Sequence, residues 1–413
     1  MTEETVLSHT QCVEVKGDNR YSPMDIDPTY FAMLSKDIPD CHILGEDFDN
    51  LGLLIRADQL AMLLSSHEFS LPFEKRYRFK LPKLHINSLG NSLISFLEND
   101  MVQFAKAYSH HRFTPTTEAF LKEAKDFKPK YPPYDLKYLA GLCSDDACID
   151  DVVAEYNELA LKMRQALREA GMGERVKSFR RNATRNYNHL MHVIRACLEW
   201  NRKILLIRLD WSEKALDLTL PIEDLSQADF DVAAARVADA RDKMVQHLNL
   251  QFKGDLLFYA WKIEWGVQKG FHIHWLIGLN GSKYQDRINV PYHIAKHWDE
   301  VLFKGGSHTH NINAMSGKER MGLCVLHYAD SQASQFFGLY ADYLTKVDYN
   351  LKLRLPKGMR SFGCTKLNQG SKPKKGPTRS YQMPDYDFAT VRGQRGRATG
   401  RRFGAKSLKK GLQ

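Results

Sequence analysis

Two histidines one residue apart, His272 and His274 in FHIHWLIGL, are the residues of this sequence best placed to hold a metal ion. Imidazoles at i and i+2 of a strand project in parallel from one face. A carboxylate from the neighbouring strand would close a three-ligand set and leave coordination positions for a phosphate oxygen and water. Glu264, in DLLFYAWKIEW, falls beside His272 or His274 in the register that joins the apolar faces of the two strands. The mixed nitrogen and oxygen set suits Mg²⁺ or Mn²⁺ in phosphate chemistry, although imidazole also accepts Zn²⁺ and other transition ions. The ordinary explanation of an H-x-H pair on its own is two partly buried histidines hydrogen-bonded to their neighbours.

Other candidates carry less. His308 and His310 in GGSHTHNIN have the same spacing, but their Gly, Ser, Thr and Asn neighbours read as loop. His293 and His297, four apart, read as the surface of a helix. A nucleophile is available in SQASQFFGLYADYLTKV, where Phe336, Phe337, Tyr340, Leu344 and Val347 form an apolar stripe. Tyr343 and Lys346, three apart, share an adjoining face, where an ammonium would favour both a phenolate and a pentacoordinate phosphate. Taken without other motifs, Tyr343 is an ordinary amphipathic tyrosine with Lys346 in solvent. Tyr340 is a second candidate nucleophile, but its place on the apolar stripe favours a structural role.

The elements that must position these residues begin at Lys203. KILLIRLDW alternates as a strand, and SQADFDVAAARVADARDKMVQHL reads as a helix opened by Ser226 with Asp229 three later. DLLFYAWKIEW and FHIHWLIGL are strands separated by only VQKG, which forces a hairpin. In it Leu257, Tyr259, Trp261, Ile263 and Trp265 share one face, and Leu256, Phe258, Ala260, Lys262 and Glu264 the other. A helix VPYHIAKHWDEVLF, a strand near MGLCVLHY and the tyrosine helix follow. The order β-α-β-β-α-β predicts an α+β fold with a ferredoxin-like or split β-α-β antiparallel sheet over residues 201–365. Residues 136–200 read as helices, with Val152, Tyr156, Leu159, Met163 and Leu167 at helical spacing. The basic run VKSFRRNATRNYNHLMHV reads first as a solvated helix face and second as a DNA-facing one. Residues 1–135 mix short apolar runs with Pro-rich punctuation such as LPKLHINSLG, and are assigned an accessory role with no chemistry.

At 413 residues and 43% hydrophobic the chain can bury a substantial core. Its apolar runs are too short to span a membrane, and the polar start MTEETVLSHT has no signal-sequence pattern, so a cytoplasmic protein is expected. Seven scattered cysteines without a C-x-x-C pair imply neither disulfides nor a cysteine zinc site. The net charge of +10 points to a polyanionic partner. Thirteen Lys/Arg against two Asp from Thr365 onward carry that whole excess. Residues 366–413 therefore read as a disordered basic arm making salt-sensitive phosphate contacts through residues such as Arg397, Arg401 and Arg402.

IRLDWS, then Glu264 before HIH, then YLTK, in that order, resemble the three motifs of HUH rolling-circle replication initiators. The sequence is similar to the inovirus gene 2 replication proteins and the related YagK/YfjJ prophage domain over roughly Trp200 to Lys366. The resemblance implies an HUH endonuclease core in which His272 and His274 bind the metal, Tyr343 attacks and Lys346 assists. Glu264 would be the third ligand, with Asp210 as its competitor. Arg208 and Asp210 match the first motif, whose role is structural or DNA-positioning. The implied activity is nicking of single-stranded or cruciform origin DNA, with a 5′-phosphotyrosine link and a free 3′-hydroxyl, in replication of a phage, prophage or plasmid. The chain has no G-x-x-x-x-G-K-[ST] loop, so a host helicase and polymerase are implied partners. The rival readings are an HUH transposase or relaxase, and a non-enzymatic DNA-binding replication protein.

Overall fold

The computed structural model describes residues 45–66, 70–99, 101–214, 226–266, 270–315, 322–330 and 332–366. Arg397, Arg401, Arg402 and the basic tail expected around them lie outside the described residues. No helix among the described residues is long and apolar enough to cross a membrane.

The first part of the chain builds a core of its own. It runs α1 (Gly45–Ser66), β1 (Phe73–Arg78), β2 (Leu81–Ile86), α2 (Ser88–Leu97), α3 (Met101–Ala107), β3 (His111–Phe113), α4 (Pro115–Lys125), α5 (Leu136–Leu142) and α6 (Asp146–Arg168). Local chemistry sets the boundaries. Asn87 accepts a hydrogen bond from the Gly90 amide to open α2, and Thr114 caps α4 ahead of Pro115 at its first position. Leu53, Leu60, Phe73, Phe96, Phe120, Tyr156 and Met163 meet in one buried cluster. The LPKLHI stretch expected as punctuation is β2, because a two-stranded hairpin has only edge strands, and there Pro82 removes no central ladder bond. The helical segment 136–200 is shared between two cores: α6 packs into this cluster, whereas the next helix packs largely elsewhere.

That helix, α7 (Met172–Trp200), leads into β4 (Lys203–Glu213), α8 (Gln227–Gln251), β5 (Leu256–Gly266) and β6 (Gly270–Asn280). Then come α9 (Asn289–Lys296), a π turn over His297–Leu302, β7 (Ser307–Asn311), β8 (Val325–His327), α10 (Ala333–Thr345), β9 (Leu351–Leu353) and β10 (Phe362–Cys364). The fold is α+β. The main sheet has the order β10-β5-β6-β4-β7, with β8 pairing the start of β4, and every pairing is antiparallel. Ser226 caps α8 by accepting from the Asp229 amide, as expected.

Alternation along the strands gives the sheet two buried faces. Ile273, Trp275 and Ile277 of β6 join Trp261 and Ile263 of β5 beneath α8 and α9. Ala260, Leu276, Ile204 and Leu206 face α7 and α10. One detail departs from simple alternation. A β-bulge between Leu256 and Phe258 reverses the expected sides at the start of β5, so Leu257 packs with the α7 and α10 face and Leu256 with the other.

The His308 and His310 segment, expected as loop, is the edge strand β7, in which Asp210 pairs with His310 and Ser212 with His308. Its short polar side chains signal a turn, but cross-strand backbone bonds to β4 and the Asp299 carboxylate override that signal. Asp299 accepts from the Ser307 and Thr309 hydroxyls at 2.6 and 2.8 Å.

The two parts are stitched together next to the tyrosine helix. β3 pairs with β9, just beyond α10, and Arg180 of α7 forms an ion pair with Asp58 of α1 at 3.0 Å. Arg180, in the run expected to be a solvated face, is thus largely buried.

Candidate active site

The register of the three central strands assembles the site. His272 stands opposite Glu264 of β5 and Ser212 of β4, and His274 opposite Lys262 and Asp210. Directly opposed residues share a face, so Glu264, Asp210 and both imidazoles project toward α10.

Hydrogen bonding then orients each ring. His272 Nδ1 lies 3.2 Å from the Gly270 carbonyl, and His274 Nδ1 lies 2.8 Å from Asp210 Oδ1. With Nδ1–H donating to these acceptors, both rings keep Nε2 for one Glu264 oxygen, Oε2, at 3.5 Å from His272 and 3.3 Å from His274. His272 Nε2 is buried and makes no hydrogen bond. An unsatisfied buried nitrogen costs free energy unless something occupies its lone pair. Ligand atoms of Glu264, His272 and His274 all lie within 4.8 Å of one another, a spacing that fits a divalent cation held by two nitrogens and one oxygen. The choice between the two carboxylates follows from the same geometry. Glu264 converges on both Nε2 atoms, whereas Asp210 sits behind His274 on Nδ1, the place of an outer partner that fixes a ligand's tautomer.

The charges interlock. Burial alone would raise both carboxylates and depress His274, but pairing reverses all three. Arg208 and His274 hold Asp210 far below the usual carboxylate range, and the imidazoles do the same for Glu264. The two carboxylates raise His274 to about 9. In the absence of a metal, a proton on His274 thus supplies positive charge at this spot.

Tyr343 overhangs the cluster. Its neighbours Tyr340, Ala341 and Leu344 anchor α10 against the sheet, and its hydroxyl reaches 3.3 Å from His274 Nδ1 and 3.5 Å from Nε2. The Arg208 guanidinium lies 3.8 Å from the centre of the Tyr343 ring, and Lys346 Nζ lies 4.7 Å from it. Two cations therefore flank the phenol, a setting that stabilises negative charge on its oxygen.

Arg208 and Asp210, matched to the first motif, lie inside the site rather than on its surface. Arg208 is 5% exposed and pairs with Asp210 at 2.7 Å, bridging the phenol to the imidazole. Tyr340 is buried, as its place on the apolar stripe suggests. His308 and His310 extend the same sheet face on β7, which their composition concealed. A buried Lys262 paired with Asp348 also escaped the sequence reading. The only signal was a lysine on the same strand face as Glu264.

Residues 168–365 match the YagK/YfjJ C-terminal domain family. No curated protein and no solved structure matches the chain.

Proposed function

We propose that this chain is a metal-dependent tyrosine nickase of the HUH type, which opens and reseals origin DNA in rolling-circle replication of a phage, prophage or plasmid. The observation that carries the reading is the Tyr343 hydroxyl 3.3 Å from His274, beside the convergent Glu264, His272 and His274 set. Two further features support it. The strand order β5-β6-β4-β7 is the one a split β-α-β unit produces, and the matched family covers both the metal set and the tyrosine.

Glu264, His272 and His274 would hold Mg²⁺ or Mn²⁺, which supplies charge neutralisation at a scissile phosphate. Asp210 and the Gly270 carbonyl keep both rings in the ligand tautomer. Arg208 and Lys346 favour the phenolate of Tyr343 and the charge that gathers on phosphorus. The Tyr343 oxygen bonds to phosphorus as the bond to the 3′-oxygen breaks. The leaving oxygen takes up a proton, and a 5′-phosphotyrosine and a 3′-hydroxyl result. Attack by a 3′-hydroxyl on the phosphotyrosine reverses the step and reseals the strand, so the bond energy is conserved. Single-stranded or cruciform origin DNA is the substrate, and a host polymerase and helicase extend and unwind.

The test is incubation of the wild type and Tyr343→Phe with Mn²⁺ and single-stranded oligonucleotides drawn from the protein's own replicon, read on denaturing gels. A covalent adduct with the wild type alone is the expected result. Salt-sensitive binding without an adduct from any oligonucleotide would overturn the enzyme in favour of a DNA-binding replication protein. An adduct only with transposon ends or transfer origins would move the reading to a transposase or relaxase.

A further inference from the structure

The β1–β2 hairpin leaves the first core with Pro82 buried on one face and Lys83 donating to the Cys143 carbonyl at 3.4 Å, while its tip, Tyr77 to Leu81, is exposed. Phe73 is buried at its root, where the Asn157 side chain accepts from the Phe73 amide at 3.0 Å and donates to its carbonyl at 2.8 Å. Beyond Lys75 the character changes. Tyr77, Phe79 and Leu81 are 64%, 87% and 53% exposed, a set of apolar side chains that a solvated hairpin has no reason to gather at its tip.

The tip is also basic. Residues 73–86 contain Lys75, Arg76, Arg78, Lys80 and Lys83 against a single acid, Glu74. The charges near the root are satisfied locally, with Lys75 on Asp146 and Asp150 and Arg76 on Glu74. Arg78 lies over the Phe79 ring at 5.6 Å, and Arg76 stands directly opposite Lys83.

The turn itself is strained. Phe79 and Lys80 connect the strands as a two-residue turn and have φ of 52° and 62°. Such turns favour Asn-Gly, because β-carbon atoms are disfavoured in the left-handed region. A bulky aromatic and a lysine held there are costly for folding and call for another use.

We infer that this hairpin is a duplex-DNA contact, with Arg78 and Lys80 on phosphates and Phe79 set against a base step. A two-stranded ribbon fits the width of a groove, and apolar side chains inserted between base steps hold and bend duplexes. A single strand would instead call for a concave channel lined with several aromatics, whereas the exposed tip of this hairpin is a projection with one aromatic at its end. The choice of nucleic acid as the polyanion rests on the function proposed above, and the hairpin would hold a double-stranded part of the origin.

The experiment measures affinity of the full chain for a fluorescent duplex and for its matching single strand over a salt series, alongside adduct formation on a single-stranded oligonucleotide. Phe79→Asn keeps the charge and relaxes the turn, so it should melt no lower than the wild type yet bind duplex about tenfold more weakly. Arg78→Ala with Lys80→Ala should reduce the slope of log affinity against log salt by about two. Both variants should form the adduct at the wild-type rate. Unchanged duplex binding in both, or a loss confined to the single strand, would overturn the inference, as would a wild type that binds no duplex. A wild type that forms no adduct while the variants still lose duplex affinity would sink the nickase and leave the hairpin contact standing.

Discussion

Metal binding at the histidine and carboxylate cluster should strengthen steeply between pH 7 and 9. His274 lies between Asp210 at 2.8 Å and Glu264 at 3.3 Å, and these carboxylates raise its pKa to about 9 despite burial that would lower it. A cation using His274 Nε2 must first displace that proton. At pH 7 the displacement costs about 2.7 kcal/mol, and with half the imidazoles already free at pH 9 the affinity should be about 50-fold weaker at pH 7 than at pH 9. Calorimetric titration with Mn²⁺ should show about a tenfold gain from pH 7 to 8, a smaller one from 8 to 9, and release of about one proton per ion at pH 7, read from two buffers of different ionisation heat.

The stability of the metal-free protein carries the same signature with the opposite sense. Because the folded pKa of His274 is raised, its contribution is complete below about pH 6.5 and is lost as pH rises through about 9, up to roughly 3 kcal/mol. Saturating Mn²⁺ should abolish that decline. Asp210→Asn removes one of the two carboxylates that hold the proton and should flatten the dependence. A dissociation constant that stays level from pH 7 to 9, with no proton released, would refute the proton-competition argument.

Two further outcomes follow from buried groups outside the ligand set. Asp348→Asn strands the Lys262 ammonium inside the protein and should cost about 3–5 kcal/mol in urea unfolding, while Lys262→Met with Asp348→Leu should recover most of the loss. His247 accepts from Trp298 Nε1 at 2.9 Å and stacks on His297 at 3.9 Å; burial, then the neighbouring imidazole, lowers its pKa to about 4. Its depressed pKa gives stability that is present above about pH 6.5 and lost as pH falls toward about 4. His247→Gln should therefore blunt the loss of unfolding free energy over that window, by about 1–3 kcal/mol at pH 4, read from urea unfolding at each pH.

The sequence by itself determined the features that depend on local periodicity. The two-residue repeat sent His272, His274 and Glu264 to one face and the tryptophans to the other. The short VQKG linker required a hairpin, and Ser226 with Asp229 marked the start of a helix. The Tyr343 and Lys346 pairing was legible for the same reason, because residues three apart on a helix are neighbours wherever the helix sits.

Tertiary structure alone decided what depends on partners distant in the chain. Glu264 and Asp210 are equivalent carboxylates in the sequence, and only the joint register of β4, β5 and β6 turns one toward both Nε2 atoms and the other behind His274. A GGSHTHNIN segment reads as loop until β4 offers its edge, and the bulge at Leu257 changes sides without any local signal. Lys262 finds Asp348 only because β5 packs beneath the end of the tyrosine helix. The first 135 residues showed no chemistry to periodicity, since the exposure and strain of Phe79 depend on where the hairpin leaves its core. Pattern reports which face a side chain takes, and the packed chain alone reports what waits on that face.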